Sequence, residues 1–199
     1  MDSKAMYQIT YGLYILSARE GEKDSGCVVN TVQQVTSSPN RIVVAVNKQN
    51  YTHDMILRSG KLNFSVLAQS APFSLFQNFG YQSGRDVDKF GAVEFVRSEN
   101  GLAFLTKHVT AFLSGTVVST VDLGSHTLFV ADVTDGAILS AEEPVTYAYY
   151  QKNIKPAPQP SAKKGWRCRI CGYIYEGDPL PADFICPVCK HGAADFEKL

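Results

Sequence analysis

The chain is 199 residues long and 45% hydrophobic, which allows one substantial core plus a small appendage. Lys and Arg number 19, as do Asp and Glu. That balance gives no basis for an electrostatic grip on nucleic acid or an anionic membrane, and leaves small molecules and other proteins as the expected partners. No stretch approaches the roughly 18 consecutive apolar residues that cross a bilayer. The opening Met1-Asp2-Ser3-Lys4 leads into alternating residues rather than the apolar run of a secretory signal, so a soluble, cytoplasmic protein is expected.

In chain order, residues 7–17, 41–47, 62–67, 92–96, 111–121 and 127–134 are rich in Val, Ile, Phe, Tyr and Thr and predict strands. Leu128 and Val130 alternate with Phe129, Ala131 and Val133, the period of a pleated strand. Clusters of Gly, Asn, Asp and Ser separate these runs, so the expected class is mainly β, a barrel or sandwich. Two short helices interrupt it: one over 52–58, capped by Thr52 and ended by Ser59-Gly60, and one over 71–79. Residues 153–164 carry prolines at 156, 158 and 160 and no apolar periodicity, which marks a linker. The expected division is 1–152, a proline-rich linker at 153–165, and a small module at 166–199.

Four of the five cysteines fall in that last module, as Cys168-x-x-Cys171 and Cys186-x-x-Cys189. In a reducing compartment such pairs read first as metal ligands. Two such hairpins can set four thiolates at the corners of a tetrahedron, which suits zinc and iron alike, so spacing leaves the metal open. A four-sulfur site has no open position for substrate, and with iron its chemistry is electron transfer. The run from Trp166 through Cys168, Cys171, Gly172, Tyr173 and Tyr175, then Cys186-Pro-Val-Cys189 and Asp195-Phe196, resembles a rubredoxin in the shortened form that ends rubrerythrins. The resemblance implies mononuclear iron. Gly172 permits a tight turn that aims backbone N–H groups at sulfur, and Trp166, Tyr173, Tyr175, Phe184 and Phe196 supply an aromatic core. His191 lies two positions past Cys189, but four cysteines already complete a tetrahedron.

Upstream there is no Gly-x-Gly-x-x-Gly after a strand and no Walker loop, so neither a Rossmann domain nor a P-loop enzyme is indicated. Tyr11-Gly-Leu-Tyr14, the run from Gly26 to Thr36, Asn47-Lys-Gln-Asn50 with Thr52, Ser83-Gly-Arg-Asp86 and Gly124-Ser-His-Thr127 together resemble the flavin reductase-like family with its FMN-binding split barrel. The resemblance implies that Asn30, Thr31 and Gln33 contact the isoalloxazine and ribityl chain, that Asn47, Lys48, Asn50 and Thr52 surround the FMN phosphate, and that Lys89 and His126 lie at the reactive edge. Ser125 departs from the family's usual Asp. Cys27 is assigned no role, since a lone cysteine is usually a small apolar side chain.

The whole arrangement is similar to the high-molecular-weight rubredoxins. That likeness implies electrons passing from NADH or NADPH through FMN to a four-cysteine iron centre, then to a separate flavodiiron protein that reduces oxygen or nitric oxide, within a homodimer. Two other readings stay open: a flavin or ferric reductase that releases its reduced product, and a non-catalytic binding module with a structural zinc ribbon.

Overall fold

The computed structural model describes residues 2–156 and 165–199. The larger part is one antiparallel sheet. Its strands are β1 (Tyr14–Glu20), β2 (Lys23–Val29), β3 (Gln33–Ser37), β4 (Asn40–Asn47), β5 (Lys61–Leu67), β8 (Val109–Asp122) and β9 (His126–Ile138). They run in the order β2-β1-β5-β8-β9-β4-β3. A separate hairpin pairs β6 (Phe95–Arg97) with β7 (Ala103–Leu105). This is the mainly β architecture that the sequence predicts.

Alternation drives the sheet. In β4 the side chains of Ile42, Val44 and Val46 are buried while their neighbours are half-exposed, so a single-residue slip would turn the apolar set to water. These side chains join Leu16, Leu62, Phe64 and Phe129 in a core roofed by Met55 and Ile56 of α1 (Tyr51–Ser59). A second core gathers Leu75, Phe76 and Phe79 of α2 (Phe73–Gly80) with Phe90, Leu105, Val145 and Tyr150. The first helix stops at Gly60, whose φ of 65° lets its N–H reach the Ile56 carbonyl at 2.9 Å.

Several expectations need correction. The strand predicted over 7–17 begins only at Tyr14, and Ser3–Gln8 forms a 3-10 turn. Residues 11–13 are drawn instead to the end of the barrel, where the Leu13 N–H donates to Val145 O and the Tyr147 N–H to Tyr11 O. Thr52 does not cap α1. Asn50 holds that position, and the Thr52 hydroxyl lies 3.0 Å from the Ser25 hydroxyl, buried between helix and β2. The second helix starts at Phe73 rather than 71, because a residue preceding proline, here Ala71, disfavours helical backbone. Of the strand predicted at 92–96 only the end pairs. Asp88 turns the chain ahead of it by accepting the N–H groups of Phe90 and Gly91.

After β9 the chain forms α3 (Tyr147–Tyr149), which widens into a π turn over Tyr150–Ile154. Ile154 packs on the α2 core, so the first residues of the expected linker are folded against the barrel. Pro158 and Pro160 lie outside the described residues. The C-terminal module is a three-stranded sheet, β11-β10-β12, from β10 (Trp166–Cys168), β11 (Ile174–Tyr175) and β12 (Phe196–Lys198).

Ser114 Oγ is buried in β8 without a hydrogen-bond partner among the described residues, whereas Phe64 is wholly enclosed. Thermal or denaturant unfolding should therefore show Phe64→Ala costing about 3–5 kcal/mol. Ser114→Ala should be neutral or stabilising by about 1 kcal/mol, because an unpaired hydroxyl is costly to bury.

Candidate metal centre and flavin pocket

The two Cys-x-x-Cys segments fold as near-copies of one another. Gly172 follows the first at φ 81° and its N–H donates to Cys168 O at 2.9 Å; Lys190 follows the second at φ 63° and its N–H donates to Cys186 O at 2.9 Å. Each turn is closed again by the next residue, with Cys168 N–H donating to Tyr173 O and Cys186 N–H to His191 O, both at 2.8 Å. The turns aim backbone donors at sulfur: Ile170 and Cys171 at Cys168, Tyr173 at Cys171, and His191 at Cys189.

The result is four free cysteines whose sulfurs all lie within 4.8 Å of one another. Cys168 and Cys189 approach to 3.5 Å, Cys171 and Cys186 to 3.4 Å. A metal with sulfur ligands at about 2.3 Å implies tetrahedron edges of about 3.8 Å, so this cluster fits such an ion with small adjustments. Without a metal the group cannot ionise together. Burial pushes the Cys168 thiol up to about 11, while the hydrogen bond from Cys189 pulls Cys171 down to about 5. Phe184 packs edge-on against Phe196 and tilted on Tyr175 beside them. Among the described residues of this module, the buried hydrophobic side chains are those of Cys168, Cys186 and Phe196. So small a core leaves the stability of the module to the metal.

Lys190 occupies a left-handed backbone position that its counterpart fills with glycine, a conformation that costs a residue with Cβ about 1–2 kcal/mol. Lys190→Gly should relieve most of this. Metal removal by a chelator should then be slower, by up to about thirtyfold, read as loss of the metal–thiolate absorbance.

The barrel holds a cavity of about 280 Å³ at the start of α1, near the lower end for small organic ligands. Asn30, Thr31, Asn47, Asn50 and His126 are among the residues that line it. Thr31 is held in place by its hydroxyl, which donates to Ala45 O at 2.8 Å and accepts from Ala45 N–H at 3.0 Å. Asn50 caps α1 without a side-chain bond to it, so N–H groups of the first turn remain available, which suits a phosphate. His126 sits 2.9 Å from the Ser125 hydroxyl. Burial, with the neighbouring His191 and His53, holds its pKa below the usual imidazole value, so it is neutral near pH 7.

Four other expected contacts stand away from the cavity lining. Lys89 is buried, and its ammonium donates to Gly26 O and Phe79 O at 2.9 Å each, tying the end of α2 to β2. Lys48 donates to Asp122 at 2.6 Å, which ties the loop entering α1 to the β8–β9 turn. Gln33 is exposed on β3, and Thr52 is enclosed against Ser25. Cys27 borders the cavity, but burial pushes its thiol up to about 11, leaving it a poor nucleophile.

Part of the lining was not foreseen. Tyr81 and Tyr150, with hydroxyls 3.1 Å apart, and Tyr147 face the cavity, and so do Ile170, Cys189 and His191 of the metal module. Their only signal in sequence was the i, i+3 spacing of Tyr147 and Tyr150 on a short helix. That the module itself closes the pocket had none.

A split-sheet barrel with a polar pocket, joined to a tetrathiolate centre, defines a flavin-linked redox protein. Residues 6–158 match the flavin reductase like domain, and residues 166–197 the rubrerythrin, rubredoxin-like domain. A high molecular weight rubredoxin of Moorella thermoacetica is 40% identical over the full length of both chains. A ferric-chelate reductase (NAD(P)H) of Archaeoglobus fulgidus is 38% identical over 75% of this chain and 89% of its own. Among solved structures, an NADH:FAD oxidoreductase of Streptomyces globisporus C-1027 shares the barrel fold, with a TM-score of 0.65 at 20% identity over 72% of this chain and 84% of that one. The chain belongs to the flavin reductase-like family of oxidoreductases and, through its C-terminal module, to the high-molecular-weight rubredoxins within it.

Proposed function

We propose that the protein is an NAD(P)H-dependent oxidoreductase that passes electrons through FMN to iron held by Cys168, Cys171, Cys186 and Cys189, and on to a partner of the flavodiiron class. The observation that carries this reading is the shared cavity: Cys189 lines the same pocket as Asn30, Thr31, Asn47 and Asn50. Electron transfer needs close approach of the two centres, and here a cysteine of the metal site, Cys189, borders the space a flavin would fill. FMN, when bound, accepts a hydride and yields electrons singly, the division that a one-electron iron site requires.

The residues of the chain do the positioning. Asn30 and Thr31 would border the ring system, and Asn47 and Asn50 would meet the phosphate at the start of α1. Neutral His126 would offer a hydrogen bond at the ring edge rather than a competing positive charge. The backbone donors aimed at the thiolates favour the more negative, reduced iron site. Lys89 and Lys48 serve as braces of the pocket, since both ammonium groups are engaged by other parts of the barrel. No helix among the described residues is long and apolar enough to cross a membrane.

Anaerobic stopped-flow mixing with NADH should show flavin reduction followed by bleaching of the iron–thiolate bands. Bleaching at an unchanged rate in flavin-stripped protein would remove flavin from the route, and native material holding only zinc would end the electron-carrier reading. The likeness to a ferric-chelate reductase supports a second reading, in which the barrel alone reduces ferric complexes. Persistence of NADH-driven ferric reduction in a Cys186→Ser variant without iron would favour it.

A homodimer belongs to the same proposal. The outer half of β8 leaves the core and exposes Val118 and Val121, and Leu123 just past its end is exposed as well. A second copy covering this apolar strip should appear as a dimer mass in light scattering at micromolar concentration. A monomer there, with flavin and iron bound, would refute the assembly.

A further inference from the structure

Lys155 leaves the barrel at the end of the π turn, with its own N–H bonded to Tyr150 O at 2.8 Å, so its backbone is fixed to the aromatic wall of the pocket. Its side chain crosses to the other module. Nζ donates to the carbonyl of Ile170 at 3.0 Å, and Ile170 lies inside the first Cys-x-x-Cys turn, between Cys168 and Cys171. Both Lys155 and Ile170 border the flavin pocket. The ammonium is half-buried there, and burial lowers its pKa while the nearby thiol groups of Cys171, Cys168 and Cys189 act the other way.

Resting on the electron route proposed above, we infer that Lys155 is a positioning residue with two linked effects: it latches the metal module over the flavin pocket, and it favours the reduced iron site by setting a positive charge beside the first cysteine turn. One electron from reduced flavin converts iron(III) to iron(II), and no bond forms or breaks. The site gains one negative charge in that step. A cation held at the turn therefore stabilises the product more than the reactant. The effect is exerted through a side chain bonded to the backbone of the first cysteine turn.

Two measurements on the full chain test this, in Lys155→Gln and Lys155→Arg. A charge-assisted hydrogen bond of ordinary strength predicts that Lys155→Gln slows NADH-driven iron bleaching about tenfold. It also predicts a more negative iron midpoint in an equilibrium titration with a chemical reductant, followed by iron–thiolate absorbance. Lys155→Arg, which keeps both charge and donor, should restore both. Lys155→Gln with the wild-type rate and midpoint would overturn the inference. The titration needs no nicotinamide and no flavin turnover. Wild-type iron that fails to bleach with NADH would therefore sink the electron route, while the midpoint still reports separately on Lys155.

Discussion

Four sulfur atoms confined within 4.8 Å of one another are the constraint on which the C-terminal module depends. As thiolates they repel, as thiols they waste their buried polarity, and only a cation at their centre satisfies all four. The surrounding chain is shaped by that demand. Two matched turns present the sulfurs, backbone donors point inward at them, and a few aromatic rings close the outside. The module has a small core, so a bound metal would add substantially to its stability.

The barrel obeys a different economy. Its sheet is built on alternation, its two cores are enclosed by α1 and α2, and its charged side chains act as struts. Lys89 is the clearest case: a buried ammonium satisfied by two carbonyls fixes the end of a helix to a strand beside the pocket. A burial site of this kind tolerates neither a shorter donor nor a missing one, because the carbonyls would be left unpaired. The pocket owes its polar side to loops held in this way, and its aromatic side to the turn that leads out of the barrel.

The class of fold was legible because β4, β5, β8 and β9 carry strong period-two patterns and β-branched residues. β2 was harder to read, since Lys23, Asp24, Ser25 and Gly26 look like a loop and are recruited by pairing with β1. The four cysteines were legible from spacing alone, and the rubredoxin likeness only from the aromatic and glycine residues around them. Among the flavin-side candidates, Asn30, Thr31, Asn47, Asn50 and His126 lie along one cavity, whereas Lys48, Thr52 and Lys89 are held by partners far away in sequence: Asp122, Ser25 and Gly26. Such partnerships have no local signature. For the same reason Lys155, which reads as a solvated charge at the edge of a linker, gives no hint in sequence of its bond to Ile170.

The ends of the small module meet. β10 and β12 lie side by side with Trp166 opposite Lys198, and the final N–H, of Leu199, donates to the Gly165 carbonyl at 2.8 Å. A unit whose first and last strands are adjacent, and whose four clustered cysteines suit an ion of its own, has the makings of a portable cassette. Gene fusion can append it to an unrelated scaffold through a single covalent joint without disturbing either partner, and what must then be invented is only the surface that tells it where to sit.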